Sequence, residues 1–307
     1  MSSYSDHIAP GMSAAAGEGF FPTADGNLHG IPAADLGDVF YRYAHGQLLN
    51  AEHHLCREGL QRHAGIHDAR KAIRRCRAIL SLRADARSNE VLGSMDRRLR
   101  RIGKGLSTLR DAEVAMLRAS EQSERSVGED SRKRWRQVRD DLLEVRDGLA
   151  HQALQSDPEF LKRCHSLRRL REHLGELDWT GIDVGSLRQS LRRSATRLLR
   201  AEARAQEHPI LENRHRLRRR ARHLRTQWNA LESLSEQETV PLALRKQLTQ
   251  ALHKAKRQVP DIHALAKQVD QLGDQQDWRL LRAALRRDGR FADSASLVRE
   301  LNAHLSS

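Results

Sequence analysis

The sequence predicts an all-helical protein, and three observations carry that prediction. Leu, Ala, Arg, Gln and Glu dominate the 307-residue chain, and all five favour helices. Aromatic residues, which are enriched in strands, account for only 4% of the chain. Beyond about residue 40, glycine and proline are sparse, so long segments contain no residue that breaks a helix. An all-α fold is therefore favoured over any β-rich class.

The first 36 residues differ from the rest of the chain. They hold scattered glycines and three prolines without a sustained apolar period, which predicts a flexible tail over residues 1–36. This tail has acidic residues but no lysine or arginine. After it the sequence predicts two helical bundles, over residues 37–178 and 179–307, with the seam inside the stretch from Gly175 to Gly185.

Apolar residues at spacings of three and four predict the helices of the first bundle. Val39 and Tyr43 begin a stripe that runs from residue 38 to about 60. Gly65 is expected to separate this helix from a basic one that starts at His67. Further helices are predicted over about 88–102, from 106 through 117, over a stretch that includes 135–149, and from Asp157-Pro158 to about 174, with a loop at 121–130.

Prolines mark out the helices of the second bundle. Ser186 is expected to begin a helix that ends before His208-Pro209. A second basic helix follows over about 211–234, and later helices are predicted at about 241–259, at 260–273 and around the leucines between 280 and 301. The tryptophans fall at apolar spacings, which favours core positions over stacking platforms; they are Trp135, Trp179, Trp228 and Trp278.

The charge balance predicts a polyanionic partner. The chain has 54 Lys and Arg against 40 Asp and Glu, a net charge of +14. Five of the acidic residues lie within the first 38 positions, which hold no Lys or Arg, so the remainder carries 54 − 35 = +19. Most of these cations are arginines, and guanidinium groups bind phosphate oxygens in a bidentate manner. The composition therefore favours a phosphate-rich ligand.

The sequence disfavours several other classes of protein. No apolar run is long enough to cross a membrane, and the N-terminus lacks a basic segment followed by an apolar one, so a cytoplasmic protein is expected. The three cysteines fit neither a disulfide framework nor a zinc pattern. Neither a glycine-rich phosphate loop nor a carboxylate cluster for magnesium is found, so no enzymatic activity and no cofactor are expected.

The stretch 67–77 predicts a helix with one basic face and one apolar face. Each residue of a helix advances by about 100°, so four of its side chains share a sector of roughly 80°. These are His67, Arg70, Arg74 and Arg77. The opposite side carries Ala69, Ile73, Cys76 and Leu80, and Cys76 is interpreted as a small core residue.

The same pattern returns at residues 215–225. Both stretches read His-x-x-Arg, three residues, two nitrogen-bearing side chains, one apolar residue and Arg, and the second supplies His215, Arg218, Arg222 and Arg225. A further marker follows each stretch in the same order, Leu106-Ser107-x-x-x-Asp111 and Leu272-Gly273-x-x-x-Asp277. Two ordered matches predict an internal duplication. Asp111 and Asp277 are interpreted as internal partners that orient arginines or cap helices, rather than as catalytic acids.

At these residues the chain resembles the CHAD family, the conserved histidine α-helical domain, whose hallmark is a duplicated His-x-x-Arg-x-x-x-basic-basic-x-Arg helix. The resemblance covers most of residues 38–305. It implies two four-helix bundles related by a pseudo-two-fold axis, with both basic helices facing a central basic groove or pore. It also implies binding of inorganic polyphosphate and targeting to polyphosphate granules, usually without catalysis. His223 and Ser107 depart from the family pattern, which favours Lys or Arg at the first position and often Gly at the second.

The candidate polyphosphate-binding residues come from the two basic helices and one flanking lysine. They are His67, Arg70, Lys71, Arg74, Arg75, Arg77, Lys104, His215, Arg218, Arg219, Arg222 and Arg225. A helix rises about 15 Å between positions 67 and 77, enough to contact several successive phosphates. Histidines among cations are expected to be largely neutral near pH 7 and to gain charge on acidification, so binding should tighten at lower pH.

Two alternatives to polyphosphate binding are a nucleic-acid-binding protein and a metal site. A nucleic-acid-binding helical protein would carry similar charge, but the sequence lacks a recognition-helix motif and is poor in aromatic residues for stacking. A metal site on His63 and His67 is disfavoured, because Gly65 is expected to interrupt the helix and no further ligand is evident. Other polyanions are further candidate ligands, and the sequence does not indicate the oligomeric state.

Overall fold

The computed structural model describes residues 33–83, 89–287, 291 and 294–306, and within these ranges the chain forms α-helices without any β-strand. The prediction of an all-α fold is confirmed. Most of the tail predicted over residues 1–36 lies outside the described residues, and its last residue, Leu36, already belongs to the first helix. No helix of the described part is long and apolar enough to span a bilayer.

Eleven α-helices follow one another along the described chain. The first six are α1 (Leu36–Leu55), α2 (Arg62–Leu80), α3 (Glu90–Gly105), α4 (Ser107–Arg125), α5 (Glu129–Ser156) and α6 (Leu161–Gly175). The other five are α7 (Val184–Glu207), α8 (Leu211–Glu236), α9 (Leu242–Lys256), α10 (Ile262–Arg287) and α11 (Ser294–Ser306). Short 3-10 turns precede α2 and α6, at Gly59–Gln61 and Pro158–Phe160.

The expected interruption at Gly65 is wrong, because α2 begins at Arg62 and runs through this glycine. Gly65 is buried, and a Cβ atom there would lie 2.2 Å from the carbonyl oxygen of His54 in α1. The glycine therefore lets α1 approach α2 closely instead of ending a helix. The gain from packing two helices outweighs the modest cost, about 1 kcal/mol, of a glycine inside a helix.

Two other predicted helix boundaries differ from the structure. Gly273 does not end a helix, because α10 passes through it without a break and packs against α4 and α8. The loop predicted at 121–130 is shorter, since α4 continues to Arg125 and α5 starts at Glu129. In both places tertiary packing extends helices beyond the point where local signals weaken.

Side-chain caps explain where several helices begin. Asp35 accepts a hydrogen bond from the backbone N–H of Asp38 at 2.8 Å, which caps α1. Asp183 and Ser186 cap α7 reciprocally, each side chain bonding the backbone of the other. The predicted start at Asp157-Pro158 is displaced by one 3-10 turn, yet Asp157 still accepts a hydrogen bond from the N–H of Lys162 at 2.8 Å.

The buried apolar side chains form two separate cores. The larger one is built mainly from α1, α2, α3, α6, α7, α8 and α9, and the N-terminal part of α10 joins it through Leu265 and Val269. The smaller one draws on α4, α5 and α11 together with the C-terminal part of α10. Each core therefore takes helices from both predicted bundles, and the boundary between residues 37–178 and 179–307 and the duplication both stay predictions.

Helices α2 and α8 pack against each other in the larger core. At one end of the contact, the Ser81 hydroxyl lies 3.1 Å from His223 Nε2 and accepts a hydrogen bond from Gln227 Nε2 at 2.9 Å. The pair thus brings the two basic stretches of the sequence side by side. Cys76 is buried on the core side of α2, as predicted.

Candidate functional site

Four arginines from α2 and α8 form a common cluster, which we call the basic cluster: Arg70, Arg74, Arg218 and Arg222. All four are half-buried. Burial, followed by the like charges of Arg222 and Arg70, lowers the pKa of Arg74 to about 9. Burial also lowers the pKa of Arg222 to about 10, with Arg218 and Arg70 as the next contributors. Guanidinium groups this close repel one another, so the cluster favours a bound anion.

Arg70 is held in the basic cluster by two hydrogen bonds to the segment where α3 gives way to α4. Its Nη1 donates to the carbonyl of Gly103 at 2.6 Å and to the Ser107 hydroxyl at 2.8 Å. Arg218 occupies the equivalent place on α8 and lies next to Gly273, where an added Cβ would be 3.6 Å from its Nη2. The marker that follows each basic stretch therefore lies beside the equivalent arginine of that stretch.

Two aspartates border the basic cluster. Asp277 Oδ1 lies 3.8 Å from Arg218 Nη2, and its other oxygen lies 3.8 Å from Arg118 Nη2. Burial raises the pKa of both Asp111 and Asp277, while Arg70 and Arg218 respectively act against that rise. The contact between Asp277 and Arg218 agrees with the interpretation of Asp277 as an orienting partner, and Asp111 is an electrostatic neighbour of Arg70.

The two pattern histidines have lowered pKa values for the same main reason. Burial, followed by the charges of Arg110 and Arg74, lowers the pKa of His67 to about 4. Burial also lowers the pKa of His215, followed by the charges of Arg279 and Arg218. Both rings are therefore neutral near pH 7. The histidines were expected to gain charge on mild acidification. Because the pKa of His67 is low, its ring gains charge only well below pH 6 in the free protein.

The last arginine of each pattern is engaged by a carboxylate. Arg77 Nε donates to Asp96 of α3 at 2.7 Å, and Arg225 Nη1 donates to Asp270 of α10 at 2.6 Å. These equivalent ion pairs tie each basic helix to its neighbour. Arg77 and Arg225 therefore differ from the four arginines of the basic cluster, because a large part of their charge is compensated inside the protein.

The remaining predicted residues lie around the basic cluster rather than in it. Lys71, Lys104 and Arg219 are exposed. Arg75 is half-buried, and its charge acts on Tyr43 of α1. His223, which takes the place of Arg75 in the second pattern, contacts Ser81 instead, and burial lowers its pKa to about 4.

Two arginines that the sequence did not single out as binding residues lie beside the cluster. The charge of Arg110 lowers the pKa of both His67 and Arg74. Arg118 Nη2 bonds Asp274 at 2.5 Å, and its guanidinium lies 5.0 Å from the centre of the Trp278 ring. The position of Arg110 directly before Asp111 in the marker was the one available signal, whereas nothing local pointed to Arg118.

No group of three or more His, Cys, Asp or Glu side chains that could hold a metal occurs among the residues the structure describes. His63 lies within the same helix as His67, but its ring is buried between α2, α4 and α5. There it approaches Glu113 at 3.8 Å and Asp147 at 3.7 Å. These contacts explain His63 as a packing residue.

Comparisons with known proteins agree on one family. The family model described as the CHAD domain matches residues 42–286 of this chain. The fold is similar to the crystal structure of the CHAD domain from the plant Ricinus communis, with a TM-score of 0.59 and 20% sequence identity over 90% of this chain and 87% of that one. A comparison with curated proteins gave no match.

Proposed function

The chain belongs to the CHAD domain family, and we propose that it binds inorganic polyphosphate through the basic cluster, without catalysing a reaction on it. One observation carries this proposal. Arg74 and Arg222 are half-buried on two helices that pack against each other, and the charge of Arg222 helps to lower the pKa of Arg74. An anion placed between them would relieve this repulsion, so ligand binding is strongly coupled to the charge of the cluster.

A linear polyanion fits the cluster better than a single small anion. Four guanidinium groups offer several N–H donors, and a guanidinium group can bind two oxygens of one phosphate. Along α2, Arg70 and Arg74 are separated by about 6 Å of helical rise, which allows them to contact successive units of a phosphate chain. Arg110 and the exposed Lys71 and Arg219 then extend the track beyond the cluster.

Nucleic acid is the competing ligand, and the placement of the aromatic residues weighs against it. Trp135, Trp228 and Trp278 are buried in the two cores, so none of them offers a face to an unpaired base. The half-buried cluster also suits a slender phosphate chain, which carries no bases or sugars. We therefore place polyphosphate ahead of single-stranded nucleic acid.

The test is a competition between long-chain polyphosphate and DNA of matched charge, measured at two salt concentrations. We expect polyphosphate to displace DNA from the protein, with a steep salt dependence for both. The double variant Arg74→Glu/Arg222→Glu should lose polyphosphate binding by more than about 100-fold while keeping its helical circular dichroism. Equal affinity for the two polymers would refute the proposal.

A charge-matched control is available on α7. Its outer face carries an open cleft lined by arginines, including the exposed Arg192 and Arg200, for which the described part of the chain shows no ion pair. The variant Arg192→Glu/Arg200→Glu changes the net charge by the same amount as the cluster variant. It should weaken polyphosphate binding by no more than about five-fold, through loss of general electrostatic attraction. Equal losses in the two variants would show that the basic cluster is not the site.

We further propose that the protein is cytoplasmic and associates with polyphosphate granules. Granules present the ligand at high local density, so a binder without catalytic activity concentrates on them by affinity alone. A fluorescent fusion of the full chain should colocalise with granules, and the variant Arg74→Glu/Arg222→Glu should be diffuse. Release of phosphate from polyphosphate by the purified protein, with or without magnesium, would contradict the absence of catalysis.

A further inference from the structure

Two cysteines that are far apart in the sequence meet at the contact between α1 and α6. Cys56 caps the C-terminus of α1, and Cys164 lies in α6. The Cys56 side chain lies close enough to Cys164 to raise the pKa of its thiol. Cys164 Sγ also lies 3.9 Å from the carbonyl oxygen of Glu52, and the backbone N–H of Cys56 donates to that same oxygen at 3.3 Å. One carbonyl of α1 therefore marks the place where both cysteines come together.

Surrounding ion pairs fix the two helices at this point. The Glu52 side chain is nearly buried and accepts from Arg168 of α6 at 2.6 Å, with Arg171 at 3.8 Å from its other oxygen. At the N-terminal end of α6, Arg163 pairs with the buried Asp157. The backbone positions of Cys56 and Cys164 are thus held by contacts that do not depend on the thiols, so their proximity is a stable property of the fold.

The two thiols differ in their surroundings. Cys56 is exposed, whereas Cys164 is only 5% exposed. Burial, together with the neighbouring Cys56 and Glu52, raises the pKa of Cys164 to about 12. A soluble oxidant therefore reaches Cys56 first, and Cys164 is protected from direct oxidation. An oxidised Cys56 then has Cys164 as its neighbouring nucleophile, and the raised pKa of Cys164 makes this second attack the slower step, because the thiolate is the attacking form.

We propose that Cys56 and Cys164 are a disulfide-forming pair that joins α1 to α6 when the protein meets a hydroperoxide. The Cys56 sulfur attacks the peroxide, forming an S–O bond as the O–O bond breaks, and the thiol proton leaves with the departing oxygen as water. The Cys164 sulfur then attacks the Cys56 sulfur, forming the S–S bond as the S–O bond breaks, and its proton leaves in a second water. Two thiols and one hydrogen peroxide give one disulfide and two waters.

The bond would close a loop that contains helices α2 to α5. A covalent link across so long a loop restricts the unfolded chain and raises the thermal midpoint of unfolding. The basic cluster is not among the contacts of either cysteine, so polyphosphate binding at room temperature is expected to be unchanged. The inference is independent of the proposed ligand and stands or falls on thiol chemistry alone.

The direct test uses the full chain with three free thiols. The protein is exposed to hydrogen peroxide, denatured, and treated with N-ethylmaleimide before intact mass measurement and peptide mapping. We expect a monomer that has lost two hydrogen atoms, that carries one label on Cys76, and that a dithiol reductant restores to three labels. Cys76→Ser should give the same disulfide, while Cys56→Ser and Cys164→Ser should not.

Two outcomes would overturn the pairing. Cys56 found as a sulfinic or sulfonic acid while Cys164 still takes the label would show that the buried thiol does not resolve the first oxidation. A dimer linked through two copies of Cys56 would assign the reactivity to the surface alone.

A thermal melt gives a second, independent measurement. Oxidation should raise the midpoint of the native protein and of Cys76→Ser by several degrees. The exposed Cys56→Ser variant, which removes no core packing, should show no rise. An unchanged midpoint in an oxidised sample that carries the disulfide would refute the structural effect of the link.

Discussion

Helices α2 and α8 carry the same pattern of cations, but their equivalent arginines have different neighbours. In each case the neighbour is the later segment in which the chain passes from the larger core to the smaller one. After α2 this passage is a break at Leu106, between α3 and α4, and the break supplies Arg70 with two acceptors, the carbonyl of Gly103 and the Ser107 hydroxyl. After α8 the passage is Gly273, within the unbroken α10, and Arg218 has a longer contact to Asp277 instead. The comparison teaches that equal sequence patterns can give unequal restraint on equivalent arginines.

The basic cluster is where the two helices should behave alike. Arg74 and Arg222 are the most strongly perturbed arginines on either helix, and burial is the first cause for both. Single changes Arg74→Glu and Arg222→Glu should each reduce polyphosphate affinity by about 100-fold, measured by titration at fixed salt. A large loss in one variant with full affinity in the other would show that only one helix contributes.

The anchored arginine should be less tolerant of change than its counterpart. Arg70→Lys removes the planar group that reaches both Gly103 and Ser107, and we expect a loss of about ten-fold in affinity. Arg218→Lys disturbs a looser contact, and we expect a loss of about three-fold. Isothermal titration of the two variants decides the order. The reverse order would mean that the hydrogen bonds of Arg70 withhold it from the ligand.

Removing a bordering carboxylate should increase affinity on the α8 side. Asp277→Asn leaves Arg218 and Arg118 with a neutral neighbour, so more positive charge is available to the ligand. We expect polyphosphate to bind about three-fold more tightly, with a small loss of thermal stability. The same change at Asp111 is the matched control on the α2 side. Weaker binding by both variants would assign the aspartates an essential orienting role that outweighs their charge.

The smallest expected effect concerns the histidines and the pH dependence of stability. The pKa of His67 in the folded protein is about 4, below the usual 6.5 of a histidine, so its contribution to stability is present above pH 6.5 and is lost as the pH falls toward 4. Between pH 7 and 5, the free energy of unfolding of His67→Gln should therefore fall by roughly 0.5 kcal/mol less than that of the native protein, after allowance for solvent exposure.

The corresponding change on α8 provides the comparison. The pKa of His215 is also lowered by burial and by Arg279, so His215→Gln should change the pH dependence in the same direction. Denaturant unfolding at pH 7, 6 and 5 measures both. If neither variant differs from the native protein across this range, the two rings are not held neutral by the fold.

The sequence predicted local structure better than it predicted boundaries set by packing. The repeat at 67–77 and 215–225 correctly identified the two helices that carry the basic cluster, because helical periodicity is a local property. The helix boundaries predicted at Gly65 and Gly273 were wrong. A glycine can interrupt a helix or permit a close contact, and only the neighbouring element decides between the two. Arg118 had no local signal at all, because its position depends on α4 meeting α10.

The sequence by itself determined the helical class, the family, the excess of positive charge and the faces of α2 and α8. The tertiary structure decided which arginines remain available to a ligand. Arg77 and Arg225 pair with carboxylates on α3 and α10, whereas Arg74 lies near the like charge of Arg222. It also placed Cys56 beside Cys164. The physical reason is that periodicity acts over one helical turn, whereas charge pairing and thiol chemistry depend on which distant helices come to lie side by side.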